Sequence, residues 1–412
     1  MSQTQHHHRV RMTGRDPGQH HRAATSLELM FDLTFVIAFG TAADELAHAL
    51  AADHVGTGIV GFLFATFAIS WAWINFSWFA SAYDTDDWIY RLTTMVQMVG
   101  VLILALGLPD MFESLEHGEH VDNTVMVLGY VVMRVPMVAQ WARAAAQDPT
   151  RRRSCQIFII TILTAQVGWI ALLLADTGIA TMFGFAGLLV LIELAGPVIA
   201  ERRVSETPWH PHHIAERYGL LVIIALGEGL LGTMASLSAI VGPNGPGWSV
   251  DVAVLGLAGT ALTFGMWWVY FTVPSGEVLS VRRDRSFGWG YGHIPLFGAT
   301  VAVGAGLHVA AYFIEHHSEL GVTGTVLTVA LPVAVYLLLV FGLYSLLTRS
   351  VDPFHLLLVA LSAAVIAASL LLASAGLSMQ WSIAVLALTP WVTVVGYEVA
   401  GHRHNADVLA RL

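Results

Sequence analysis

Few charged or titratable side chains fall inside this chain's most apolar stretches, and those few could move a proton or hold an ion. Glu28 and Asp32 stand at i and i+4 in one stretch, so on a helix they share a face. Arg134 lies in another, two residues before Pro136, whose ring removes a backbone donor and frees a carbonyl. Glu193 lies in a third, a turn before Pro197, and His308 well inside a fourth. Glu228 lies twelve residues beyond Glu216, roughly 18 Å along a helix, between Gly227 and Gly229. Glycines there would let a neighbouring helix or a ligand come close. Carboxylates, a guanidinium and an imidazole at such depth suit a proton or ion relay, or a polar substrate site. The same groups also serve as buried ion pairs that fix helix packing. The economical arrangement pairs Arg134 with one or more of Glu28, Asp32, Glu193 and Glu228. Glu216 and Arg217 mark the cytoplasmic mouth of their helix, and Asp44 and Glu45, near an outer end, are expected only to reach water.

A second group is the acidic run Asp84, Asp86 and Asp87, followed by Arg91. Its plain reading is salt bridging to Arg91 or to Arg282–Arg285, and its sharper reading is cation capture. The spacing of His210, His212, His213 and Glu216 resembles that of metal ligands, but no second ligand cluster accompanies it, and no metal is assigned. His6–His8 and His20–His21 read as solvated tail. No phosphate-cradling glycine loop, nucleophile elbow or zinc-protease helix occurs, so neither a catalytic residue nor a cofactor is assigned. The single Cys155 excludes an internal disulfide.

The elements that must position these residues are membrane helices. The chain has 412 residues, 56% hydrophobic and only 12% charged, against about 25% charged in a soluble domain. Mean hydropathy is +0.67. No basic surface large enough for nucleic acid exists, and the partners expected are membrane lipid, a small-molecule or ion substrate, and a second copy of the chain as a homo-oligomer. Apolar runs of about 20 residues predict spans over Glu28–Ala51, Thr57–Ala80, Ile89–Leu108, Val121–Ala145, Ser154–Ala175, Gly178–Ala200, Ile214–Ile240, Val250–Val273, His293–Ile314, Val322–Leu347, Phe354–Ala375 and Met379–Ala400. The longer connections are expected at Pro109–Asp122, Glu201–His213, Gly242–Gly247 and Pro274–Gly292. All 19 basic residues are Arg, and all but Arg134 fall before the first span, after the last, or in alternate connections and the span ends that border them. By the positive-inside rule this places both termini in the cytoplasm. The fold class expected is therefore an all-α integral membrane protein of about twelve transmembrane helices.

A repeat is visible. Glu28-Leu-Met-Phe-Asp-Leu-Thr-Phe-Val-Ile-Ala opens the first span and Glu216-Arg-Tyr-Gly-Leu-Leu-Val-Ile-Ile-Ala-Leu the seventh, 188 residues on. Trp73-Ile-Asn-Phe in the second span matches Trp268-Val-Tyr-Phe in the eighth, 195 residues on. Similar offsets in consecutive spans imply two parallel six-helix repeats, an arrangement that transporters use around sites near the repeat interface. The expected division is a disordered His/Arg-rich tail over 1–25, repeats over 26–203 and 204–402, and a short tail over 403–412.

These segments also carry a resemblance. Ser26-Leu-Glu28-Leu-Met-Phe-Asp32-Leu-Thr-Phe-Val resembles the opening signature of the bacterial low-temperature-requirement A family. The run from His213 through Glu216 and Arg217 to Gly227-Glu228 resembles its second and more specific signature. Ala82–Asp87 with Arg91, Leu191-Ile-Glu193-Leu-Ala-Gly-Pro197, Trp267–Phe271 and Tyr291-Gly292-His293 are similar to further segments of that family. Tyr218 and Gly229 depart from it, where Phe and Ser are more usual. The resemblance covers nearly the whole chain from about residue 25. It implies a multi-pass protein of the bacterial inner membrane, linked by the family's name to growth in the cold, and supplies no reaction. It marks Glu28, Asp32, Asp84, Asp86, Asp87, Arg91, Glu193, Glu216, Arg217 and Glu228 as candidate site residues. The function expected is a transporter or permease with an intramembrane carboxylate–Arg site and proton coupling. The alternatives are a membrane-embedded enzyme acting on lipid or a lipid-linked substrate, and a non-catalytic adaptor.

Overall fold

A computed structural model describes residues 9–19, 22–118, 120–241 and 247–401. His6–His8, His20, His21, most of the Gly242–Gly247 connection and the 403–412 tail lie outside the described residues. The described chain is helical, with an isolated bridge between His120 and Gly178. In order the helices are α1 Ser26–Ala51, α2 Val55–Tyr83, α3 Trp88–Leu106, α4 Leu108–His117, α5 Thr124–Gln147, α6 Arg152–Leu174, α7 Ile179–Arg203, α8 Pro211–Val241, α9 Val250–Phe271, α10 Ser275–Val281, α11 Ser286–Ile314, α12 Val322–Thr348, α13 Pro353–Ser374, α14 Met379–Leu386 and α15 Thr389–Gly396. They make 12 stretches long and apolar enough to cross a membrane. Many large apolar side chains remain exposed, among them Leu106, Val135, Val167, Leu191, Leu257 and Leu371. An apolar exterior of this extent fits lipid, where the helix is the spanning element that satisfies its own backbone.

Three segments differ from the sequence expectation. Pro109–Asp122 is mostly helix rather than loop, because Leu108, Met111, Phe112 and Leu115 bury one stripe of α4 at helical spacing. α8 starts at Pro211 rather than at Ile214, because a proline's missing donor costs nothing in a first turn, so the end of the expected Glu201–His213 connection is helical. Pro274–Gly292 is folded into α10, a 3₁₀ turn over Arg283–Arg285, and the start of α11.

The chain forms two compact units, one of residues 1–41 and 68–214, the other of 42–67 and 215–412. In the first, α3 and α5 cross at Gly100 and Gly129. A Cβ on Gly129 would fall 2.4 Å from the Leu104 nitrogen and 2.7 Å from the Gly100 oxygen, so only glycine permits this approach. α5 packs on α6 and α6 on α7. An aromatic core fills the unit: Phe31 stacks on Phe76 at 3.9 Å, and Trp141 lies on Phe158 at 4.1 Å and edge-on to Phe79 at 4.8 Å. The stretch before α1 is pinned to the same unit. Met12 is fully buried. Val10 N donates to Asp87 at 3.0 Å, Met12 N to the Gln147 side chain at 2.6 Å, and Arg15 N to the Ala82 carbonyl at 2.9 Å.

In the second unit α11 is the axis, with 83% of its apolar window buried against 22% for α13. It meets α12 at Gly306, where a Cβ would lie 2.5 Å from the Thr328 carbonyl oxygen. The last span is broken. α14 ends at Leu386, Pro390 opens α15, and Tyr397–Gly401 forms a π turn. Pro390 has no N–H for the carbonyl of Leu386, which interrupts the ladder there.

Candidate functional site

The first unit contains a closed ion pair. The Arg134 guanidinium lies 2.9 Å from Glu193 Oε2, and both residues are nearly fully buried. Tyr130, a turn below Arg134 on α5, donates its hydroxyl to the same oxygen at 2.9 Å and is also contacted by the guanidinium. Trp71 of α2 donates to Oε2 as well, and Trp169 of α6 to Oε1 at 3.1 Å. Glu193 thus accepts from three helices besides its own. Of the four acids expected as partners of Arg134, the geometry brings Glu193 to it. Trp71, Tyr130 and Trp169 were not candidates from sequence, because buried aromatic N–H and O–H groups look the same in sequence as core fillers.

At the ends of α1 and α2, the same unit gathers a second polar group. α2 finishes at Tyr83, leaving C-terminal carbonyls without intrahelical donors. Arg22 caps them, donating to Ala80 O and Ser81 O at 2.7 Å each. Its positive charge also suits the negative end of the helix dipole. Burial lowers the Arg22 pKa, as does Arg15, while Glu28 and Asp84 oppose the shift. Glu28, fully buried, lies 3.8 Å from Arg22 and 3.2 Å from His213 Nε2, and accepts from Thr25 N at 2.7 Å. Asp84 is buried 3.7 Å from Arg15. Burial, with Glu28 second, pushes its carboxyl up to about 6 against the pull of Arg22. Asp32 accepts from Trp73 Nε1 at 2.7 Å.

The rest of the acidic run is already engaged. Asp86 and Arg91 form a bidentate pair at 2.8 Å. Asp87 caps α3 through Tyr90 N at 2.9 Å and binds Arg143 with both oxygens. Burial would raise the Asp87 pKa, but bonds from Arg143, Tyr90 N and Val10 N outweigh it and hold the carboxyl below its ordinary value. Salt bridging with Arg91 is therefore seen at Asp86, while Asp87 pairs with Arg143. Of the histidine run, His213 faces Glu28 and His212 is exposed, so the two point apart.

In the second unit, Glu216 is exposed on α8 and Arg217, next to it, is fully buried. Twelve residues on, Glu228 is 2% exposed, and its Oε1 is buried without a hydrogen-bond partner. Of its flanking glycines, only Gly229 is crowded, a Cβ there meeting Thr263 Oγ1 at 2.5 Å. Gly227 has nothing within 4 Å. The close approach comes instead from α11, where a Cβ on Gly304 would lie 2.5 Å from the Glu228 backbone. His308, also on α11, pairs through Nδ1 with Asp44 at 3.1 Å. Asp44 thus has a partner and does more than reach water. Its sequence signal was a matched pair of polar faces, Asp44 and His48 on α1, His308 and Tyr312 on α11, each at i and i+4.

A family model for bacterial low temperature requirement A proteins matches residues 23–390. An uncharacterized protein of Rhizobium meliloti (strain 1021) is 25% identical over 311 residues, which cover 71% of this chain and 70% of that one. No solved structure matches.

Proposed function

We propose that this chain, which belongs to the bacterial low temperature requirement A family, is a transporter or permease for a small polar solute or ion, seated in the bacterial cell membrane. The arginine distribution orients it with both termini in the cytoplasm, and two parallel six-helix repeats would supply the alternating movement. Glu228 carries the reading. A carboxylate deep in a 31-residue apolar helix is costly, and one of its oxygens has no protein partner. A passing proton, cation or polar group can fill that capacity. Arg134–Glu193, in the other unit, is a closed pair: its carboxylate is saturated, and its part is to hold the helices of its own unit together.

The test is flux. Purified chain in sealed liposomes is expected to move protons, monovalent cations or a small polar solute, and Glu228→Gln to abolish that movement while still inserting. Full flux in the Gln variant would remove Glu228 from the mechanism.

A second reading, an enzyme acting on a lipid-linked substrate, is favoured by one observation. Glu28 and His213 form a buried acid–base pair beside Asp84 at helix ends, where a headgroup could arrive. A membrane lipid profile that changes on deletion and is restored by wild type but not by Glu28→Gln would support it. An unchanged profile would dismiss it.

A further inference from the structure

Glu228 and Gly232 lie one turn apart on α8, and Gly304 and His308 one turn apart on α11. The two pairs face each other. A Cβ on Gly304 would fall 2.6 Å from the Glu228 Cβ, and one on Gly232 would fall 2.5 Å from the Gly304 oxygen and 2.8 Å from His308 Cδ2. Cδ2 is bonded to Nε2, so the Nε2 edge of the imidazole is turned to the α8 face that carries Glu228. The opposite edge, Nδ1, holds Asp44 of α1 at 3.1 Å. Glu228 Oε1 and His308 Nε2 are both buried without a hydrogen-bond partner. Glu228 also lies within electrostatic reach of both His308 and Asp44. Exposure rises along the row, from 2% at Glu228 to 17% for the His308 side chain and 52% for that of Asp44. One turn further on each helix, the Tyr312 hydroxyl meets His48 Nε2 at 2.7 Å. Glu45 and Glu315 also lie within electrostatic reach of Tyr312.

We infer that Glu228, His308 and Asp44 form a proton path, joining a carboxyl in the membrane interior to the face where α1 ends. Under the arginine-based orientation this is the outer face. Two unsatisfied atoms of complementary kind, one an acid oxygen and the other an imidazole nitrogen, end a chain whose far end is wet. A proton on the Glu228 carboxyl passes over a bridging water to the His308 Nε2 lone pair, giving an imidazolium. The Nδ1 proton then passes to Asp44 and on to water. Glu228 is left as carboxylate and His308 as the other neutral tautomer, which resets when the ring turns or when traffic reverses. Glycine at 232 and 304 lets the two helices meet where these groups stand. Use of the path to drive a solute rests on the transporter reading, but the path does not.

Infrared difference spectroscopy on the purified full chain tests it without substrate or flux. The expected spectrum holds a protonated carboxyl band that titrates with bulk pH, shifts in D2O and is missing in Glu228→Gln. His308→Ala is expected to keep the band and slow its exchange with D2O by about a hundredfold, with recovery in imidazole buffer. Asp44→Asn, at a half-exposed position, is expected to slow it less, and it keeps the test open where a buried variant does not fold. A band that survives Glu228→Gln, or exchange unchanged in both His308→Ala and Asp44→Asn, would overturn the path. So would a band that answers to sodium at fixed pH and not to protons. Because no transport is measured, a chain without flux can still pass this test, and a working transporter can fail it.

Discussion

Replacing Arg134 by Met is expected to destabilise the first unit by about 3–5 kcal/mol, the range for removing one partner of a buried ion pair. The geometry sets the value toward the lower end. Arg134 and Glu193 are 2% and 4% exposed, so the abandoned carboxylate cannot turn to water. It would, however, keep Tyr130, Trp71 and Trp169 as donors. Hydrogen bonds to a charged group contribute about 1.5–3 kcal/mol each, which offsets part of the loss. Glu193→Gln alone leaves the guanidinium without its counter-charge and is expected to cost a similar amount. In the double variant Arg134→Met/Glu193→Gln, an amide oxygen in the place of Oε2 still accepts from Trp71 and Tyr130, the bond from Trp169 is lost, and no charge remains. It is expected to recover at least about 2 kcal/mol of the summed single losses, within the coupling seen for residues of one network. Reversible unfolding in mixed micelles, read by tryptophan fluorescence, measures all three, since Trp71 and Trp169 sit on the carboxylate. Losses that add to within about 0.5 kcal/mol would refute the pair.

Asp84 titrates at about 6 in the folded chain against an ordinary 3.8, so the folded state binds more protons between those values. Stability from this group should therefore fall as pH rises from about 4 to about 6, and Asp84→Asn should flatten that slope in thermal unfolding; an unaltered slope would contradict the burial. Asp87 is shifted the other way, so its contribution is present above its ordinary pKa and is lost on acidification. Asp87→Ala should cost about 1–2 kcal/mol from the helix cap alone, measured at neutral pH and vanishing in acid. Gly304→Ala should cost about 1–3 kcal/mol through its clash with the Glu228 backbone. Gly227→Ala, with open space around it, should be neutral or better by up to about 1 kcal/mol; equal effects would deny the α8–α11 crossing.

The spans were legible because lipid demands long apolar runs, and a run such as Val322–Thr348 admits no other reading. α4 was not, because its buried stripe of Leu108, Met111, Phe112 and Leu115 is interrupted by acids that suggest a loop. Arg134 could be matched to a set of acids from cost alone, yet choosing Glu193 required knowing which helices touch. The stretch holding Met12 and Arg22 read as polar tail, since its attachments are backbone hydrogen bonds and a helix cap, and neither leaves an apolar pattern. Asp44 was discounted for the same kind of reason: its partner His308 lies on a distant helix, and exposure at a helix end is the ordinary fate of an acid.

The central claim is that Glu228 works while Glu193 holds. Flux into sealed liposomes, measured for Glu228→Gln and Glu193→Gln beside the unfolding stability of each, addresses both halves. The account expects Glu228→Gln to fold as firmly as wild type and carry nothing, and Glu193→Gln to be less stable but to retain flux at temperatures where it stays folded. A Glu228→Gln variant that transports at the wild-type rate would contradict it.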